Sequence, residues 1–146
     1  MKITIDSDLE KILKKFNNDE KIMKKASNIV KKTLYNIEKD AKQNLDANGN
    51  VDTGRLKGSI TTNIIGEFSG ETGTNVSYAN IIESGSRPHT IRPNKKKYLY
   101  WEGAEHPVKE VNHPGTKASP FMEPAAIKNE KKFNQDLEKL AKEILK

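Results

Sequence analysis

Between Asp19 and Leu45 the residues Ile22, Ala26, Ile29, Val30, Thr33, Ile37 and Ala41 recur at steps of three and four. That spacing places them on one face of an α-helix, with lysines and polar side chains opposite. Asp19 can cap the start, because its carboxylate accepts from the first free backbone N–H groups. Such a stripe must be covered. A second stripe lies near the end of the chain, where Ala126, Phe133, Leu137, Leu140, Ala141, Ile144 and Leu145 again keep helical spacing. Pro120 and Pro124 suit the first turn of that helix, where a missing N–H costs nothing. The two stripes can cover each other within the chain or meet a second subunit.

Shorter elements lie around and between these helices. Ile3 and Ile5 alternate with polar neighbours, as in a short strand, and Ser7 or Asp8 can cap a helix to about Phe16 that carries Leu9, Ile12, Leu13 and Phe16. Asn48-Gly49-Asn50 marks a turn. Asp52 or Thr53 can cap a further helical turn. Ser59 to Phe68 is rich in β-branched residues and predicts a strand, Ser69-Gly70 a turn, and Glu71 to Ser77 the returning strand of a hairpin. Tyr78 to Ser84 has a brief helical pattern that stops at Gly85, a natural position for a left-handed residue. Ser86 to Lys97, with two prolines and five Arg or Lys residues, predicts an exposed loop. Tyr98 to Glu102 and Val108 to Asn112 look like strands.

Helices, then strands, then a helix favour an α+β fold over an alternating one. The expectation is a small antiparallel sheet of about four strands, packed against a long helix in the N-terminal half and a C-terminal helix. At 146 residues the chain fits one domain. It reads as helical over 7–46, strand-rich over 51–112 with an exposed loop at 86–97, and helical again over 120–145.

Composition narrows the function. The 26 Lys and Arg residues outnumber 20 Asp and Glu, but acids are interspersed throughout. A sequence-reading nucleic-acid binder would gather its charge on one face. There are no cysteines, which excludes thiolate metal sites, disulfides and cysteine nucleophiles. No run approaches the ~20 apolar residues of a membrane span, and the start lacks the apolar stretch of a signal peptide. The expectation is a cytoplasmically made protein with no membrane partner.

Candidate chemistry is sparse. His89, His106 and His113 each adjoin a proline in segments that read as extended, and none has the i, i+4 spacing of a zinc-binding helix. A nuclease would draw on His89, Arg92, His113 and Glu123, residue types found in most basic domains. SGETGTN lacks the lysine and hydroxyl residue of a phosphate-cradling loop. Lys95-Lys96-Lys97 followed by Tyr98, Tyr100 and Trp101 mixes cations with aromatics, as single-strand binders do. The preferred alternative is a solvated loop leading into a strand whose Leu99 and aromatics cover the core. No cofactor or metal is expected, and no enzymatic activity.

Four pieces in order carry a family resemblance: VDTGRLKGSI at 51–60, GTNVSYANIIESGS at 73–86, HTIRPNKKKYLYW at 89–101 and HPGTKASPFMEPA at 113–125. Together they resemble the phage neck and tail-completion family (head–tail connector or minor tail components) typified by gene product ten of Hong Kong 97-type siphophages. The resemblance implies a virion protein at the head–tail junction, made in the bacterial host cytoplasm and arranged as a ring of copies around the DNA channel. Its implied neighbours are head-completion and tail-terminator or tail-tube proteins; the net positive charge separately allows transient, non-specific contact with passing DNA. Within the shared pieces, folding roles can be assigned. Asp52, Thr53, Gly54, Arg55 and Leu56 would start a turn, with Leu56 inward and Gly54 permitting a close crossing. Tyr78, Ile81 and Ile82 would anchor the short helix beneath the sheet, and Gly85 would end it. His113, Pro114 and Gly115 would turn the chain, and Pro120 and Phe121 would dock the last helix, with Phe121 as a core plug. Arg87, His89, Ile91, Arg92, Lys95, Lys96 and Lys97 are the candidate assembly interface. The rival classes are a small basic nucleic-acid-binding protein and a nuclease or toxin.

Overall fold

A computed structural model describes residues 1–6, 8, 11–13, 19–50 and 54–145. In chain order its elements are β1 (Lys2–Asp6), α1 (Glu20–Ala47), α2 (Arg55–Ser59), β2 (Thr61–Gly66), β3 (Ser69–Gly73), α3 (Ala79–Ser84), β4 (His89–Ile91), β5 (Val111–His113) and α4 (Met122–Ile144). The fold is α+β, with the long helix and the C-terminal helix where their stripes predict them. The strands divide into an antiparallel three-stranded sheet of order β1-β3-β2 and a separate two-stranded ribbon, β4-β5.

Asp19 caps α1 as its chemistry dictates, its carboxylate accepting from the Lys21 N–H at 2.8 Å. At the other end Gly49 takes a left-handed φ of 70°, which lets the Asn48, Gly49 and Asn50 N–H groups reach back to the carbonyls of Asn44, Asp46 and Leu45. The buried face is Ala26, Val30, Leu34, Ile37, Ala41 and Leu45, with Ser27 and Thr33 beside them. Leu34, outside the expected stripe, is fully buried. Of the helix expected over residues 7–16, residues 11–13 are helical and Leu13 is buried; Leu9 and Phe16 lie outside the described residues.

The central strand β3 pairs with β1 from Lys2↔Gly73 to Asp6↔Ser69, and with β2 from Thr61↔Gly73 onward. The hairpin turn falls at Glu67-Phe68, two residues before the expected Ser69-Gly70. Packing explains the difference. Phe68 is drawn into a buried cluster with Leu13, Ala26 and Leu140, and the register slips between Ile64 and Gly66 to allow it. Gly70 then lies within a strand. A Cβ there would stand 2.6 Å from the Leu34 Cδ1 atom and 2.9 Å from the Asn63 carbonyl oxygen, so the sheet can rest on α1 only because this residue has none. The Thr72 hydroxyl donates to the Leu34 carbonyl at 3.1 Å, which satisfies a buried polar group at the same contact.

The second core cluster joins Ile37, Ala41, Leu45, Leu56, Ile60, Ala79, Phe121, Met122 and Ala125. Each large apolar side chain buried here contributes roughly 1.5–3 kcal/mol, whereas an exposed ion pair contributes about 0–1 kcal/mol. The α1–α4 seam therefore outweighs the lysine–carboxylate pairs on the surface. The seam is not the predicted stripe throughout. Met122, Ala125, Asn129 and Leu140 are buried, Ala126, Phe133 and Leu137 are half-buried, and Ala141 and Leu145 are exposed. Asn129 takes an inward position because it has partners, donating to Asp40 Oδ2 at 2.7 Å and to the Ala125 carbonyl at 2.9 Å. Lys128 Nζ reaches the other Asp40 oxygen at 3.0 Å. Burial pushes the Asp40 carboxyl up, but these donors outweigh it and hold the group below the usual carboxylate range.

Candidate functional site

Residues 80–120 include no buried side chain. This stretch leaves the core at α3, runs out along β4, returns along β5 and rejoins the core at Phe121. It is an arm, and its root draws on two of the pieces that carry the family resemblance, 73–86 and 113–125.

At the root, two backbone segments lie against each other. Ser86 and Thr116 exchange backbone hydrogen bonds at 2.9 and 3.1 Å, and the Ser119 N–H donates to the Ile82 carbonyl at 2.8 Å. Gly85 has φ 74° and ψ −175°, a conformation suited to glycine alone. A Cβ on Gly85 would run into the Thr116 carbonyl oxygen, and one on Gly115 (φ 90°) would run into that of Ser86. Gly85 thus ends α3 as expected and also admits the returning strand. The same close approach fixes Gly115.

The next residues are gripped from two sides. Phe121 provides no side-chain cap for α4. The Glu83 carboxylate does so from α3, accepting from the N–H groups of Phe121 (2.9 Å), Met122 (3.0 Å) and Glu123 (2.8 Å). An anion on the first free N–H groups of a helix also sits favourably in its dipole. From the end of α1, Asn44 donates to the Phe121 carbonyl at 2.9 Å, Asn48 to that of Pro120 at 3.0 Å, and Asn50 to the Ser119 hydroxyl at 2.6 Å. Phe121 itself is completely buried, so its predicted role as a core plug is observed. The capping by Glu83 was not predicted, because nothing local in the sequence links a carboxylate to a helix that begins about forty residues later.

Along the arm, His89 pairs with His113, Thr90 with Asn112 and Ile91 with Val111. The imidazole rings of His89 and His113 lie 5.1 Å apart at 31°. The Gly115 N–H donates to His113 Nδ1 at 3.0 Å, and His89 Nδ1 lies 2.9 Å from the Arg87 carbonyl oxygen. Arg92 pairs with Glu110 at 3.1 Å. Farther out, one bridge joins Leu99 to Val108. Beyond it the chain turns through Gly103, so the strand expected over Tyr98–Glu102 is reduced to that bridge.

Several expectations change here. The segment 86–97 is not wholly a loop, since β4 lies within it, though every residue of β4 is exposed. Tyr98, Tyr100 and Trp101 do not cover the core; they are 48%, 69% and 49% exposed. Tyr78 and Ile81 face outward, and it is Ala79 and Ile82 that hold α3 to the core. Leu56 is buried as predicted, but among the described residues nothing beyond its chain neighbours lies within 4 Å of a Cβ built on Gly54. Its φ of 73° at the start of α2, not a close crossing, accounts for glycine there. Asp52 and Thr53 lie outside the described residues. The candidate interface residues Arg87, His89, Ile91, Arg92, Lys95, Lys96 and Lys97 all belong to the arm and are all exposed. Pro114 sits at its return, beside Gly115.

Of the residues in a nuclease reading, His89 and His113 meet, Arg92 is held by Glu110, and Glu123 lies in the first turn of α4. Among the described residues no three His, Asp or Glu side chains are grouped to hold a metal ion, and no helix is long and apolar enough to cross a membrane. No protein-family model, curated protein or solved structure matches the chain.

Proposed function

We propose that this chain is a structural virion protein of a tailed bacteriophage, joining head to tail as one of a ring of identical copies around the DNA channel. Head-completion proteins on one side, and tail-terminator or tail-tube proteins on the other, are its neighbours in this reading. The reading involves no turnover and no cofactor.

One observation carries it: the arm at 86–116 is firmly rooted yet has no core of its own. A lone two-stranded ribbon is marginal in water, and exposed apolar and aromatic side chains of this kind are typical of surfaces that bind a partner. Ile91, Tyr98, Tyr100 and Trp101 are the exposed large apolar side chains of the arm. Its root, by contrast, is fixed by paired backbone bonds, two sterically required glycines and a carboxylate cap. A rigid root with an uncovered arm suits an element that reaches onto a neighbouring subunit. A head-to-tail interface of this kind closes into a ring when its rotation permits. Three of the four sequence pieces that resemble the neck family, 73–86, 89–101 and 113–125, contribute to the root and arm, while the first supplies Leu56 and Ile60 to the core.

The nucleic-acid-binding alternative draws support from Lys95, Lys96 and Lys97 beside the exposed aromatics. The two readings separate in a lysate of the encoding phage with an early stop codon in this gene, viewed by electron microscopy. Filled heads beside unattached tails are expected. Normal infectious virions would end the proposal.

A further inference from the structure

We propose that the outer end of the arm, Lys95 to Trp101, is a binding site for a single strand of nucleic acid. The lysines would take the phosphates and the aromatic rings would stack on unpaired bases. The assembly reading turns the same rings toward a neighbouring copy, so strand binding belongs to the protein before it joins a ring, and it is tested on the free protein.

The charge is the first reason. Residues 92–101 hold Arg92, Lys95, Lys96 and Lys97 and no acid. Arg92 is occupied by Glu110. The three lysines are exposed, and among the described residues none forms an ion pair or hydrogen bond with them. What sets these three apart from the other lysines is that they are consecutive in a ten-residue stretch without an acid. Three adjacent cations left without a counter-charge suit a polyanion whose charges recur along a chain.

The aromatics are the second reason, and they select a single strand over a duplex. Tyr98 and Tyr100 flank half-buried Leu99, which bridges to Val108, and both are exposed, at 48% and 69%. Neither ring stacks on another aromatic residue within the described chain, and the Trp101 indole next to them is half exposed. Exposed rings beside a line of cations are the two components of a strand-binding surface, since every base has a face to stack and every nucleotide a phosphate. A duplex offers the phosphates but keeps its bases stacked. An acidic protein would satisfy the lysines and leave the ring faces with no planar partner.

Trp101 is the only tryptophan in the chain, so its fluorescence reports directly on the site. Full-length protein is titrated with a short thymidine oligonucleotide, with the same sequence as a duplex, and with polyglutamate, while anisotropy of the labelled oligonucleotide is followed in parallel. The single strand should quench Trp101 and raise anisotropy, with affinity falling as salt rises at a log–log slope of about −2 for three phosphate contacts. Tyr100→Ala should weaken binding by about tenfold or more. The triple variant Lys95→Gln/Lys96→Gln/Lys97→Gln should flatten the salt dependence. Because these side chains bury nothing, all variants should keep the wild-type melting temperature. The proposal is overturned by no quenching and no anisotropy change up to about 100 µM, the weak end of non-specific binding. Duplex or polyglutamate binding as tight as the strand, or a Tyr100→Ala variant that binds like wild type, would also overturn it. A head–tail joining defect is read in particles by microscopy, so the two proposals fail separately.

Discussion

Replacing Glu83 with alanine removes one side chain and uncaps a helix that begins 39 residues farther along. Three N–H groups lose their acceptor at once. A conventional N-cap is worth about 0.5–2 kcal/mol, and hydrogen bonds to a charged group contribute roughly 1.5–3 kcal/mol each, though not additively. The Phe121 and Met122 donors are partly buried, so water replaces the carboxylate only in part. Glu83→Ala should therefore cost about 2–4 kcal/mol. Glu83→Gln keeps one oxygen acceptor but loses the charge and half of the fork, and should cost about 1–2 kcal/mol.

Urea unfolding followed by far-ultraviolet circular dichroism measures both. With a slope of about 2 kcal/mol per molar, the alanine variant should unfold about 1–2 M earlier than wild type, with glutamine between them. Glu130→Ala is the control: that residue is exposed on α4, and its midpoint should move by no more than the ~0.5 kcal/mol of an ordinary surface substitution. An alanine midpoint as close to wild type as that control would refute the cap, and with it the claim that α3 and α4 are joined through Glu83.

The two crowded glycines at the root of the arm should behave unlike the open Gly103. Gly85→Ala and Gly115→Ala each combine a forbidden backbone with a collision against a carbonyl oxygen, and should cost about 3 kcal/mol or more; Gly103→Ala, with open space around it, should cost about 1 kcal/mol, all read as urea midpoints. Phe121→Ala should cost about 3–5 kcal/mol, since its ring is completely enclosed. Asp40 titrates below its unfolded value, so its contribution is fully present above the usual carboxylate pKa of about 3.9 and disappears as pH falls through the lower folded value. Asp40→Asn should accordingly lower the melting temperature at pH 6 but narrow the gap to wild type towards pH 2.5; an unchanged gap would contradict the assignment.

What the sequence discloses follows from how local each determinant is. The helix α1 is legible because its stripe, its Asp19 cap and its Gly49 stop all lie within the segment they define. The class α+β follows from the order of such segments. The hairpin turn is displaced because Phe68 responds to Leu13, Ala26 and Leu140, distant in sequence. Asn129 is polar at an inward position because Asp40 waits for it on another helix. The arm shows the same limit from the other side. YLYWE has the composition of a core strand, and composition alone points it inward, yet among the described residues no element covers its aromatic rings. The residues of the root were legible as a motif, while their partners, Glu83 with the α4 N–H groups and Gly85 with Thr116, needed the fold.

The most direct test of the account is complementation of the stop-codon lysate with a chain whose residues 89–113 are replaced by a short Gly-Ser turn. The replaced stretch holds no buried residue and its ends stand beside the paired Ser86 and Thr116, so the shortened protein should fold with a melting temperature close to wild type. The account predicts that full-length protein restores joined, infectious particles and that the armless protein, though folded, leaves heads and tails apart. Joined particles from the armless chain would contradict it.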